Sequence, residues 1–365
     1  MRFHVSEALL VAASIWTAVS STHTIGTIIN RPSLPNDYNG SNFTYNYPIS
    51  LFRFASQGQD VEMAFIDVPP RAGHKASRHK GKPITNPPVA LLLHGKNFCS
   101  ITWRTTIATL SKAGYRVIAP DQIGFCKSTK PRPGYQFSLA QLALNTNALL
   151  ETLGVLPDGT PQLAVIGHSL GGMLATRFAL QHPSAVAHGR LVLVNPIGLE
   201  DYIAEGVPYT SIDVNLAQEA TQDYGSIRAY QEQVYYPGTP WRSEFDVWVR
   251  MSAKIYAGSE REAFLQAQAR VVDVVLSQPV AHEFERLKVA RTLVMIGEDD
   301  TTAVGKAGAP PEVQARLGRF AVLGPTVAAR IPGAEYAGFP GRGHAPQIEV
   351  PGDFHKRLLS WLKAS

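Results

Sequence analysis

Cysteine is scarce in this chain of 365 residues, which contains only Cys99 and Cys126. Their spacing matches neither a zinc motif, which repeats its ligands at short intervals, nor a redox motif of the C-x-x-C type. We therefore expect no metal site and no redox centre built on cysteine.

Long apolar runs are absent after the first twenty residues, although 45% of the residues are hydrophobic. A helix that spans a bilayer needs about 20 consecutive apolar residues. We therefore expect no stable membrane insertion of the body of the protein. Charged residues make up 17% of the chain, which is typical of a globular protein with a sizeable core.

Acidic residues are too few to balance the basic ones, so the net charge is +5. One segment, 69–86, carries basic residues and no acid: Arg71, Lys75, Arg78, Lys80 and Lys82. Without these five charges the balance is zero. The segment lacks interleaved aromatic residues, so it is typical of a solvated surface loop and not of a nucleic-acid site. We expect no nucleic-acid partner.

The first twenty residues predict a signal peptide, because Arg2 precedes an apolar stretch that ends in small residues. Glu7 weakens this pattern, and an N-terminal anchor or a disordered tail is the alternative. Residues 21–50 then form an N-terminal extension with two sequons, at Asn39 and Asn42, where a secreted protein can carry glycans. The protein is predicted to be secreted.

Apolar runs alternate with helical patterns along the rest of the chain, which predicts an α/β fold: an eight-stranded, mostly parallel sheet with helices on both faces. The strands are predicted at 51–55, 61–67, 89–93, 116–119, 163–166, 191–194, 292–296 and 335–339. Helices are predicted at 103–113, 138–153, 170–181 and 354–362. Ser138 with Gln141 matches a capping box at the start of the second helix.

Residues 200–287 interrupt this alternation, because they contain helical patterns and no convincing strand. We interpret them as a helical cap inserted after the sixth strand, between a first core part at 51–199 and a second at 288–365. The cap is rich in aromatic residues that either pack its own interior or line a pocket for an apolar substrate: Tyr230, Tyr235, Tyr236, Trp241, Phe245, Trp248 and Tyr256.

The segment from Gly167 to Gly171 reads Gly-His-Ser-Leu-Gly and lies between an apolar strand and a helix. A sharp strand-to-helix turn strains its apex residue, Ser169, and needs small residues on either side. The hydroxyl is thereby exposed for attack on a carbonyl. The backbone N–H of Leu170, at the start of the helix, is predicted to stabilise the oxyanion.

A serine nucleophile needs a histidine base and an acid that orients it. Asp300, in the turn after the seventh predicted strand, is the preferred acid. Glu298 and Asp299 are close competitors. Glu200 and Asp201, after the sixth strand, are further alternatives.

His344 is the preferred base, because it lies in a glycine-rich loop between the last strand and the last helix. Only a loop is free to bring an imidazole over the serine. His94, His168 and His355 are better explained by local packing.

The second oxyanion donor is predicted in the turn after the third strand, where Gly95 permits a tight bend. The backbone N–H of Lys96 is the preferred donor. Asn97 is the alternative.

Five segments carry a resemblance to the α/β-hydrolase superfamily: HGKNFCSITW, DQIGFCKSTKP, IGHSLGGMLATR, LVLVNPIGLED and GHAPQIE. The resemblance runs from about Leu51 to the C-terminus. Within the superfamily, these segments are similar to a group of capped hydrolases. It implies the eight-stranded sheet, the cap after the sixth strand and the triad Ser169, Asp300 and His344. Serine at the elbow argues against epoxide hydrolases and dehalogenases, and the GHSLGG segment departs from the GGSWG-type elbow of proline iminopeptidases.

Two structural expectations follow from this resemblance. About 44 residues separate the acid from the histidine, which is long for the fold and predicts an extra helix within Pro310–Ala329. Cys99 and Cys126 follow neighbouring strands, so they either form a disulfide in an oxidising compartment or remain buried thiols.

The predicted function is hydrolysis of a carboxylic ester, lactone or thioester through an acyl-enzyme, with a small apolar substrate under the cap and no cofactor. Cleavage of a carbon–carbon bond next to a ketone is the alternative within enzymes. An acyltransferase is a further possibility, and a non-catalytic ligand-binding protein of the same fold is the alternative from a different class.

Overall fold

The computed structural model describes residues 26–31, 34–71, 78–79, 82–83, 87–156 and 163–364. The predicted signal peptide and most of the basic segment lie outside these residues. The central sheet has nine strands: β1 Thr27–Arg31, β2 Ile49–Ser56, β3 Gln59–Val68, β4 Val89–Leu93, β5 Arg116–Pro120, β6 Leu163–His168, β7 Arg190–Val194, β8 Arg291–Gly297 and β9 Ala334–Phe339. Two short strands, Arg78–His79 and Lys82–Pro83, pair apart from this sheet.

The strand order is β1-β2-β3-β5-β4-β6-β7-β8-β9. β1, β2 and β3 run antiparallel to their neighbours, and all pairs from β5 to β9 are parallel. The sheet is therefore mostly parallel, as predicted. In the parallel part, β4, β6 and β7 are buried along their whole length.

The predicted number of eight strands is wrong by one, because β1 pairs with β2 at the edge of the sheet. This strand lies in the predicted N-terminal extension. It is five residues long, and only Ile28 and Ile29 are partly buried. An edge strand with so little buried surface leaves no alternating apolar pattern in the sequence.

Twelve α-helices lie in the described part of the chain: α1 Arg104–Lys112, α2 Leu139–Thr152, α3 Leu170–Gln181, α4 Pro183–Val186, α5 Ile212–Ala220, α6 Tyr224–Tyr230, α7 Ser243–Tyr256, α8 Arg261–Ser277, α9 Pro311–Arg316, α10 Phe320–Arg330, α11 Pro346–Glu349 and α12 Pro351–Lys363. A π-helical turn, Gln231–Tyr235, continues α6. Among these helices none is long and apolar enough to cross a membrane.

Helix α2 shows how the local sequence sets an element. The Ser138 hydroxyl accepts a hydrogen bond from the backbone N–H of Gln141 at 3.0 Å, and Gly154 with φ +67° follows the helix end. The Gln141 side chain does not complete the predicted capping box. Its amide donates instead to Asn145 Oδ1 at 2.9 Å and to Ser56 Oγ at 3.3 Å, which ties α2 to β2.

The interval between β7 and β8 contains α5 to α8 and no strand, and all its residues are described. We call residues 200–287 the helical insert. The division of the chain at 200 and 287 into core and cap stays a prediction. The interval between β8 and β9 contains α9 and α10, so the helix predicted within 310–329 is present as two helices.

Cys99 and Cys126 form a disulfide between the loops that follow β4 and β5. These strands are neighbours in the sheet, so the two loops meet at its carboxyl edge. Of the two alternatives that the sequence left open, the structure shows the bonded one. Asp121 lies close to both sulfurs. Because both cysteines are in the disulfide, they have no thiolate to offer a metal.

Candidate active site

Ser169 stands at the apex of the turn between β6 and α3, with φ +57° and ψ −122°. The flanking glycines have no room for a side chain. A Cβ on Gly167 lies 2.1 Å from the Gly171 oxygen, and a Cβ on Gly171 lies 2.2 Å from the Leu93 oxygen. The strained serine conformation and the close approach of strand and helix are those of a nucleophile elbow.

His344 and Asp300 lie together at the carboxyl edge of the sheet. The imidazole Nδ1 donates to Asp300 Oδ2 at 2.7 Å, and both residues are 1% exposed. This bond fixes the tautomer, because a proton on Nδ1 leaves Nε2 as the basic nitrogen. The pair has the arrangement of the acid and base of a serine hydrolase.

The competing acids are occupied elsewhere. Glu298 accepts a hydrogen bond from the Tyr336 hydroxyl at 2.8 Å, and Glu200 accepts one from the backbone N–H of Gly318 at 3.0 Å. Asp299 is exposed and accepts from Gly341 at 3.3 Å. Asp201 pairs with His282 at the surface. Among the five acids considered, only Asp300 is hydrogen-bonded to His344 in the described structure.

The competing histidines have structural roles. His94 Nδ1 donates to the Gly95 oxygen at 2.8 Å, and its Nε2 accepts from the Gln122 N–H at 3.0 Å. His355 contacts the Thr106 hydroxyl at 2.9 Å, between α12 and α1. Neither imidazole contacts the His344–Asp300 pair by a hydrogen bond.

His168 contacts His344, the predicted base, directly. Its Nε2 donates to the backbone oxygen of His344 at 2.8 Å, and the two rings lie 4.9 Å apart. Burial holds the pKa of His168 well below its ordinary value, and the neighbouring His344 lowers it further. His168 is therefore neutral and holds the loop of the base without competing for a proton.

The loop after β4 lies against the serine. A Cβ on Gly95 comes within 2.9 Å of Ser169 Cβ, so only glycine fits there. Lys96 follows, and its ammonium pairs with Glu219 of the helical insert at 2.6 Å. Leu170 is the first residue of α3, where backbone N–H groups have no acceptor within the helix. The structure thus brings the segments of both predicted oxyanion donors to Ser169, and their roles stay predictions.

The model of the alpha/beta hydrolase family matches residues 90–357 of the chain. The chain belongs to the α/β hydrolase family. The structure of a probable hydrolytic enzyme from Pseudomonas aeruginosa shares 49% identity with this hydrolase, covers 88% of it and 96% of its own chain, and superimposes with a TM-score of 0.80.

Curated relatives match a shorter part of this hydrolase. An uncharacterized protein of Mycobacterium tuberculosis is 39% identical over 112 residues, which is 31% of this chain and 30% of the relative. A 2-hydroxymuconate semialdehyde hydrolase of Pseudomonas putida is 35% identical over 119 residues, which is 32% of this chain and 40% of the relative. The matched segments thus span less than half the length of either relative.

Two residues that the sequence did not predict for the site of this α/β hydrolase hold Asp300, the predicted acid. Asn195 donates to Asp300 Oδ2 at 2.9 Å, and Thr302 donates to Oδ1 from its N–H at 2.8 Å and its hydroxyl at 2.6 Å. Asn195 also accepts from the Gly297 N–H at 2.8 Å. The signal in the sequence is an asparagine directly after a buried strand. It has φ +36°, a conformation that asparagine tolerates better than most residues.

Aromatic side chains cover the site. Tyr235 of the π-helical turn stacks on His344 with ring centres 5.0 Å apart and on Phe98 at 5.3 Å. Its hydroxyl accepts a hydrogen bond from Asn97 Nδ2 at 2.8 Å. Ser169 is 5% exposed. Ser169 is therefore largely shielded from solvent in the described structure.

A cavity of about 380 Å³ lies between the 130–137 loop and α8, away from the site. Neither Ser169, His344 nor Asp300 lines it. Its lining carries charges of both signs, from Arg132 and Arg270 and from Glu260 and Glu262.

Proposed function

We propose that this hydrolase cleaves a carboxylic ester, lactone or thioester through an acyl-enzyme formed on Ser169. The observation that carries the proposal is the buried hydrogen bond from His344 Nδ1 to Asp300 at 2.7 Å, on the same sheet edge as a strained serine. A carboxylate in this position stabilises the imidazolium that forms when the base takes a proton.

Each step uses groups already described. The Ser169 hydroxyl attacks the substrate carbonyl while His344 Nε2 takes its proton. The backbone N–H groups of Lys96 and Leu170 stabilise the oxyanion of the tetrahedral intermediate. His344 then protonates the leaving group, and a water molecule, activated by the same imidazole, hydrolyses the acyl-enzyme.

The covering side chains support a small, mainly apolar substrate. Phe98, Tyr235, Tyr236 and Phe245 form an aromatic cluster next to the triad histidine. Apolar pockets with a few placed polar groups are the usual binding sites of small molecules. The buried disulfide in turn supports secretion, because disulfides persist in oxidising compartments.

Carbon–carbon bond cleavage is the second candidate, and the similarity to the 2-hydroxymuconate semialdehyde hydrolase favours it. The same triad can attack a ketone. Product analysis of a 1,3-diketone against a simple aryl ester separates the two reactions. The candidate is preferred if the diketone is cleaved with the higher kcat/KM.

The deciding experiment is covalent labelling with a fluorophosphonate, together with hydrolysis of p-nitrophenyl esters of increasing chain length. We expect the wild type to be labelled on Ser169 and Ser169→Ala to lose labelling and nearly all hydrolysis. A wild type that resists the probe favours a non-catalytic ligand-binding protein. Equal ester hydrolysis by both proteins means that another residue is the nucleophile.

A further inference from the structure

A small cavity of about 30 Å³ lies between the helical insert and the loop after β4. Its lining includes Asn97 and Tyr235, and it is completed by these residues of the insert: Gln222, Ile227, Tyr230, Gln231, Ser252 and Tyr256. Asn97 follows the predicted oxyanion donor, and Tyr235 stacks on His344. Tyr235 therefore both lines the cavity and contacts His344, the predicted base.

Gln231 presents an unused acceptor to this cavity. The residue is 2% exposed, and its Oε1 has no hydrogen-bond partner among the described residues. A buried polar atom without a partner destabilises a protein, so each such atom calls for a physical reason. It belongs to the π-helical turn Gln231–Tyr235, an irregularity that is frequent at functional sites.

Three of the donors around the cavity already have acceptors. Asn97 Nδ2 donates to the Tyr235 hydroxyl at 2.8 Å, and the Ser252 hydroxyl donates to the Asn97 oxygen at 3.5 Å. The Tyr256 hydroxyl donates to Glu219, whose carboxylate also pairs with Lys96. Because the nearby carboxylate is compensated, the cavity offers a neutral acceptor and calls for a neutral donor.

We propose that this cavity binds a hydroxyl or amide N–H of the substrate, and that Gln231 Oε1 selects for it. The inference rests on the proposed function and narrows it to small esters, lactones or thioesters that carry one such donor close to the scissile carbonyl. A space of about 30 Å³ holds one or two groups of the size of a water molecule, so it suits a hydroxyl better than an alkyl chain.

Matched substrate pairs test this proposal. The first set is p-nitrophenyl butyrate with its 2-hydroxy and 3-hydroxy derivatives, and the second is propyl butyrate with 2-hydroxypropyl butyrate. We expect at least one hydroxylated ester to exceed its parent about tenfold in kcat/KM in the wild type, because a buried acceptor left unpaired penalises the parent. This preference falls to about one in Gln231→Leu.

Two further variants make the result decisive. Gln231→Glu keeps an acceptor at this position, so it retains a preference for the hydroxylated ester. Gln218→Leu makes the same change at an exposed position of the insert and leaves the preference as in the wild type. If Gln231→Leu does not fold, judged by its thermal transition, Gln231→Met takes its place, because it also removes the acceptor and keeps an unbranched side chain of similar length.

The outcomes separate this inference from the proposed function. Turnover of all esters without any preference for a hydroxyl, or with the same preference in Gln231→Leu, overturns the inference and leaves the proposed function standing. The absence of turnover of every ester, together with no labelling of Ser169, overturns both. If a water molecule permanently occupies the acceptor of Gln231, no preference for a hydroxylated ester is observed, and the inference is overturned while the proposed function stands.

Discussion

At the scale of single residues, hydrogen bonds stabilise the buried side chain of Asp300. Its two oxygens accept hydrogen bonds from His344, Asn195 and Thr302. A buried carboxylate is stable only with such partners. Because these hydrogen bonds engage both oxygens, they oppose rotation of the carboxylate away from the imidazole.

We expect Asp300→Asn to lower kcat by about 10³- to 10⁴-fold, because the amide favours the wrong tautomer of His344. The measurement is the steady-state hydrolysis of a p-nitrophenyl ester. Asp299→Asn is the matched control, since it makes the same change at the adjacent exposed position. Similar losses in both variants contradict the assignment of the acid.

His355 makes folding dependent on pH. Burial lowers its pKa to about 4, whereas an unfolded histidine has a pKa of about 6.5. Between these values the unfolded chain binds a proton that the folded chain does not, so stability falls as the pH falls from 6.5 towards 4.

We expect the free energy of unfolding of the wild type to drop by about 2 kcal/mol more between pH 7 and pH 5 than that of His355→Gln. Urea denaturation at both pH values measures this difference. His188→Gln, at an exposed position, keeps the pH dependence of the wild type. An unchanged dependence in His355→Gln speaks against this source of the effect.

At the scale of elements, the π-helical turn Gln231–Tyr235 positions the aromatic ring that covers the site. Tyr235 is held over His344 by stacking and by the hydrogen bond from Asn97. A single hydrogen bond contributes about 1 kcal/mol, which corresponds to roughly a fivefold change in the population of an open state. We therefore expect access to Ser169 to respond to the loss of the Tyr235 hydroxyl.

We expect Tyr235→Phe to be labelled by a fluorophosphonate several times faster than the wild type, because the stack alone holds the ring less firmly. The rate of inactivation at limiting probe concentration measures the opening. Tyr224→Phe removes a hydroxyl that contacts Asp246 at the surface of the insert and serves as the control. A rate of inactivation of Tyr235→Phe that does not exceed that of the wild type contradicts a role of the Tyr235 hydroxyl in restricting access to Ser169.

Elements with strong periodicity could be predicted from the sequence, and contacts between distant elements could not. The bounds of α3 agree with the prediction, and the eight predicted strands agree with β2 to β9 within two residues at each end. β1 was missed because its residues are short of buried surface. Asn195 was missed because 105 residues separate it from Asp300, and only the pairing of β7 with β8 brings the two together.

At the scale of the whole molecule, the N-terminal extension contacts the core at the two loops that the disulfide connects. Asp121 accepts from the Ser100 N–H at 2.8 Å and from the Tyr45 hydroxyl at 2.7 Å. Lys127 is 1% exposed and donates to the Asn36 oxygen at 2.8 Å and to Ser41 Oγ at 2.7 Å. Burial lowers the pKa of Lys127 to about 8. The extension is thus fastened to the loops that the disulfide connects.

We expect the disulfide to stabilise this arrangement by about 2 to 4 kcal/mol, since it closes a loop across a separation of 27 residues. The double variant Cys99→Ala with Cys126→Ala measures the effect by urea denaturation. Reductant lowers the stability of the wild type to that of the double variant and leaves the double variant unchanged.

Because the extension is fastened to the 121–130 loop, limited proteolysis at residues 34–47 should accelerate together with the loss of stability. If proteolysis is unchanged while stability falls, the disulfide stabilises the core alone, and the extension is held by Lys127 and Asp121 independently of it.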